Sequence, residues 1–103
     1  MQIEHWQRER DGPLSEATMR AKLEARGYVV TRYTYPPGTY FPAHDHGVDK
    51  IDGVLSGRFR MTMSGQEVVL EAGDLLVVPK HVTHTAEVVG DDPVVSLDAV
   101  RAR

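Results

Sequence analysis

The chain of 103 residues predicts an all-β domain of antiparallel strands, a sandwich or barrel, preceded by one short helix. Three observations carry this reading. After Tyr28, stretches of β-forming residues recur about every eight to twelve residues. Gly, Pro, Ser and Asp clusters separate them, and no helical periodicity intervenes. One stretch, Phe59, Met61 and Met63 against Arg58, Arg60 and Thr62, alternates strictly, as a strand with one buried face does.

The helix is expected at about residues 16–26. Ser15 supplies an N-cap, Glu16 sits at the positive end of the helix dipole, and Lys22 and Arg26 lie toward the negative end. Gly27 offers the left-handed stop. The apolar stripe of Leu14, Met19 and Leu23 is thin, so the helix should lean on the outside of a sheet rather than fill a core. The strands follow in order. Val29 to Tyr35 is closed by Pro36-Pro37-Gly38, and Val54-Leu55 runs into Ser56-Gly57. The alternating strand turns at Ser64-Gly65 into Val68 to Leu70, and Ala72-Gly73-Asp74 turns again before Leu75 to Val78. Thr85 to Val89 and Val94 to Leu97 flank Gly90-Asp91-Asp92-Pro93, for seven or eight strands in all. The expected organisation is one domain, with residues 1–27 as an N-terminal segment and 28–103 as the β unit.

Composition bounds the function. Hydrophobic residues make up 41% and charged residues 26%, as in an ordinary globular protein. A net charge of -3 leaves no excess of cations to neutralise phosphates, so no nucleic-acid partner is expected. Without cysteine, thiolate ligands, thiol nucleophiles and disulfides are all excluded. Leu75-Leu76-Val77-Val78 is far too short for a membrane span, and the charged first residues contain no secretory apolar stretch. A cytoplasmic protein with no membrane partner is expected.

Four of the five histidines fall in two clusters, His44 with His46 and His81 with His84. Neutral imidazole is the commonest protein ligand for a metal ion. On a strand, positions two apart face the same way, so His44 and His46 would be aimed together. A third ring from a distant strand would complete a set that leaves coordination positions open. By itself the pair is also consistent with two polar residues on an exposed strand or loop.

Their settings add more. The first pair lies in Gly38-x5-His44-x-His46-x3-Lys50-x6-Gly57, the second in Gly73-x5-Pro79-x-His81-x2-His84. Both spacings closely resemble the two signature motifs of the cupin superfamily. The resemblance implies a double-sheet jelly-roll β-barrel, with His44, His46 and His84 as metal ligands. It also implies a divalent transition metal, one of Zn, Fe, Ni, Cu or Mn, unless the pocket holds none. Two positions depart from the pattern: Lys50 stands where the family usually has a glutamate ligand, and His81 where it usually has glycine.

The lysine conflicts with a cation. Two like unit charges 4 Å apart repel by about 4 kcal/mol at an effective dielectric of 20, and a divalent ion doubles this. Lys50 can turn away onto a carboxylate, lose its proton, or belong to a pocket without metal. Asp52 would share its face on a regular strand and Asp49 would not, so Asp52 is the first candidate partner, or a replacement ligand if the strand bulges. Lys50 is the candidate catalytic residue, as a general base or as the holder of a substrate carboxylate or enolate. His81 is a fourth ligand, an acid–base group at the rim or, as strand alternation favours, an exposed loop residue. Phe59 and Met61 are core residues that would also line the pocket, and Tyr33, Tyr40 and Phe41 stand where a ligand could touch them.

The leading expectation is a small metal-dependent enzyme of oxygenase or isomerase type, acting on a small, anionic organic molecule. The alternative is a non-catalytic ligand-binding or sensor domain lacking a metal because of Lys50. A homodimer is expected, two-fold association being the commonest form.

Overall fold

The computed structural model describes residues 1–102. Nine strands form two antiparallel sheets: β1 (Ile3–His5), β2 (Tyr28–Tyr35), β3 (Tyr40–His44), β4 (Lys50–Ser56), β5 (Arg58–Met63), β6 (Gln66–Leu70), β7 (Asp74–Val78), β8 (His84–Val89) and β9 (Val94–Arg101). One sheet has the order β1-β7-β4-β9-β2, the other β3-β8-β5-β6. This is the expected jelly roll, with one correction. The described ladders join no strand of one sheet to a strand of the other, so the layers stay open instead of closing into a barrel.

The N-terminal segment holds two elements beyond those expected, β1 and a short helix, α1 (Arg8–Asp11). Strand β1 is a three-residue edge on β7, too brief to show any alternation. Helix α2 (Glu16–Ala25) matches the expected one within a residue. Its N-cap is a reciprocal pair: the Thr18 amide donates to Ser15 Oγ at 3.1 Å, and the Ser15 amide donates to Thr18 Oγ1 at 2.9 Å. Gly27 closes it at φ 89°. No helix of the described residues is long and apolar enough to cross a membrane.

Helix α2 lies on the outer face of the five-stranded sheet, but it is more than a prop. Met19 and Leu23 are fully buried against Val30, Ile51, Leu75, Leu97 and Ala99, forming a core outside the sandwich. The stripe is thin because one turn of contact suffices on a sheet. Gly53 makes the contact possible: a Cβ there would lie 2.8 Å from Met19 Sδ and 2.9 Å from a Leu75 methyl. The main core lies between the sheets, from Val54, Leu76, Val78 and Val94 on one side to Phe59, Met61, Met63 and Val88 on the other.

Strand β4 is therefore buried on both faces over Lys50–Val54. Its outward residues meet the helix layer. Its inward residues begin as Lys50 and Asp52 and become apolar only at Val54. That polar stretch of the inner face sits at one end of the sandwich and frames the site.

Candidate metal centre

His44 ends β3 and His84 begins β8, and the two are direct cross-strand partners. Their ring centroids are 4.3 Å apart. His46 lies past the end of the strand, so alternation along β3 does not aim it. The loop does: the His81 amide donates to the His46 carbonyl at 2.8 Å, and the His46 ring comes to 4.9 Å from His44 and 5.2 Å from His84. One potential ligand atom from each ring lies within 4.8 Å of the others.

Hydrogen bonds set which nitrogens are free. His44 Nδ1 is 2.6 Å from the Pro42 carbonyl and His84 Nδ1 is 3.0 Å from the Val82 carbonyl. A carbonyl only accepts, so both Nδ1 atoms carry the proton and each Nε2 presents a lone pair. His46 Nε2 is buried with no hydrogen-bond partner among the described residues. Burial, the Lys50 ammonium and the other rings push the pKa of His46 down. The His84 pKa is also lowered, chiefly by burial and against the opposing hydrogen bond to Val82. Neutral nitrogen donors with one orphaned buried atom are a donor set that suits a borderline cation.

The rings face a cavity of about 320 Å³. Tyr33, Tyr35, Phe41 and Phe59 line one side with Met61 and Ala86, and Tyr35 stacks on Phe59 at 5.6 Å and meets Phe41 edge-on at 5.0 Å. Lys50, Asp52 and Asp98 line another part. Lys50 Nζ is 2.8 Å from Asp98 Oδ1 and 3.9 Å from Asp52 Oδ1. The two aspartates are cross-strand partners on β4 and β9, so Lys50 reaches its main partner diagonally. Burial pushes the Asp52 carboxyl up to about 6, Lys50 opposing and Asp98 reinforcing the shift. Burial, then the charges of Asp98 and Asp52, also raise the Tyr35 hydroxyl.

Of the sequence candidates, His44, His46, His84, Lys50, Asp52, Phe59 and Met61 share this cavity. Asp49, His81 and Tyr40 do not line it. Asp49 Oδ1 accepts from the Lys80 amide at 2.9 Å, as opposite-face placement implies. Tyr40 is 57% exposed. The His81 side chain is exposed, 3.8 Å from Asp45, and only its backbone serves the site. Its φ of 64° explains why glycine is usual at this motif position. Asp52 is not the nearest partner of Lys50; Asp98 is. The expected last strand, Val94 to Leu97, stops short of Asp98, whereas β9 runs on to Arg101 and alternation puts Val94, Ser96 and Asp98 on one face.

Comparisons with known proteins bear on the family and the fold. The family described as "Cupin domain" matches residues 31–100. No curated protein matches the sequence. Among solved structures, KdgF from Halomonas sp. is 26% identical with a TM-score of 0.65, over 75% of this chain and 71% of that one. The DMSP lyase DddQ from Ruegeria pomeroyi is 26% identical with a TM-score of 0.66, over 74% of this chain. This chain spans only 39% of the lyase chain. A predicted oxalate decarboxylase from Thermotoga maritima is 22% identical with a TM-score of 0.66, over 98% of this chain and 79% of that one, and shows the shared fold.

Proposed function

The chain belongs to the cupin domain family, and from that premise we propose that His44, His46 and His84 hold a divalent transition metal that serves an enzyme acting on a small organic molecule. The observation that carries this reading is the orientation of the rings. Backbone carbonyls take the Nδ1 protons of His44 and His84, leaving unprotonated nitrogens beside an orphaned His46 Nε2. Bound there, a metal would supply Lewis acidity or a redox centre with positions left for water or substrate.

The chain's own groups divide the remaining work. The Tyr33, Tyr35, Phe41 and Phe59 side would take the apolar body of a substrate and exclude water from it. Lys50 acts through its N–H donors, since its charge is already engaged by Asp98, and so it offers a hydrogen bond to a substrate oxygen instead of serving as a free base. The raised carboxyl of Asp52 lets a proton be held at or near neutral pH. An anionic substrate would be drawn by the metal and not by the lysine, whose charge Asp98 engages. The same proposal has the protein working in the cytoplasm as a homodimer, which sedimentation would check.

A metal-free ligand pocket is the competing reading, and Lys50 in the motif position of the usual glutamate favours it. Metal analysis of protein purified without a histidine tag separates the two. The enzyme reading expects about one transition-metal ion per chain, lost in His44→Ala and His84→Ala while the fold survives. A wild-type protein that takes up no more metal than these variants favours the bare pocket.

A further inference from the structure

Lys50 poses a physical problem that the proposed metal centre must solve. Its side chain is 11% exposed and lines the same cavity as the three imidazoles. A free ammonium there has two courses open to it. It can donate a hydrogen bond to an imidazole lone pair, taking the electrons a metal needs, or it can stay nearby and repel the cation.

The surroundings deal with both courses. Asp98 Oδ1, on β9, takes the ammonium at 2.8 Å, and Asp52 stands behind at 3.9 Å. The aspartates face each other in register, so the sheet fixes their positions independently of the lysine. Their side chains are 20% and 11% exposed, which limits screening by water. With both ionised, the cluster carries two negative charges against one positive. Even with Asp52 protonated, the lysine remains neutralised.

On the metal reading given above, we propose that Asp98 is a positioning residue of the metal centre. It anchors the Lys50 ammonium away from the three rings and, together with Asp52, cancels its charge, so that the site accepts a cation despite a lysine at the motif position usually held by a carboxylate ligand. The anionic complement of the ion is thereby moved off the metal and into a neighbouring ion cluster.

Calorimetric titration of Zn²⁺ into metal-free wild type, Asp98→Asn, Lys50→Met and the double variant tests this. Circular dichroism would confirm that each is folded. Asp98→Asn keeps the shape and removes the anchor, and should bind at least about tenfold more weakly. The double variant also removes the ammonium, and should return to within about threefold of wild type. Lys50→Met should bind no more weakly than wild type. Equal affinity of wild type and Asp98→Asn overturns the inference, as does a double variant as weak as Asp98→Asn. Should Asp98→Asn fail to fold, weaker binding by Lys50→Met overturns it alone, and affinity at or above wild type supports it. No uptake by wild type or by Lys50→Met overturns the metal reading itself and this inference with it. Loss of the inference alone leaves wild-type uptake intact.

Discussion

The two faces of β4 are equally hidden from water and chemically opposite. Outward, Ile51 and Gly53 meet the helix layer of Met19 and Leu23, where burial is apolar and close-packed. Inward, Lys50 and Asp52 are buried ionisable groups beside Asp98. Burying a charge is costly unless it is paired, and replacing a buried ion pair with apolar residues is often neutral or stabilising. The outer face thus has a sufficient structural reason, and the inner face does not. Adjacent side chains on one strand separate what holds the sheet together from what the sheet holds in place.

That contrast can be broken at several points. The largest effect belongs to the outer face. Truncating Leu23 or Met19 to alanine should lower unfolding free energy by about 2–5 kcal/mol, read from urea denaturation. Metal uptake by the surviving folded protein should be unchanged, and a parallel loss would show that the faces are not separable.

Next comes the inner face, through pH. With a folded-state carboxyl near 6 against an ordinary value of 3.8, Asp52 favours folding when protonated. Its contribution is complete below about pH 4 and is lost as pH rises through 6, at most about 3 kcal/mol. Asp52→Asn should match wild type at pH 4 and exceed it in stability at pH 8. A constant difference across that range would contradict the assignment.

Gly53→Ala probes the contact between the layers. The new methyl meets Met19 Sδ and Leu75 at under 3 Å, and methionine can yield, so a loss of about 1–3 kcal/mol is expected in the same denaturation assay. The mildest effect is on metal retention. The lowered pKa values of His46 and His84 keep both rings neutral below the ordinary 6.5. Release on acidification should therefore begin below pH 6.5, and a dye-competition titration showing release above it would contradict the burial of these rings.

Much of this was legible in the sequence, and the gaps have physical causes. The Ser15 cap, the Gly27 stop and the alternation of Phe59, Met61 and Met63 are local signals, and each appears where expected. The histidine trio was legible as well, though the reason assigned to His46 was not: it is held by the backbone amide of His81, beyond the end of the strand. Asp98 was not legible as the partner of Lys50, because a diagonal pair across β4 and β9 depends on strand order and register. The burial of β4 on both faces was likewise hidden, since a thin helical stripe does not reveal which surface it will cover.

The most direct test is anomalous diffraction from crystals grown with a transition metal. A peak bonded at roughly 2.0–2.1 Å to nitrogens of His44, His46 and His84, with the Lys50 ammonium still on Asp98, is the predicted result. Rings that point apart with no peak between them, or a lysine nitrogen seated among them, would contradict the account.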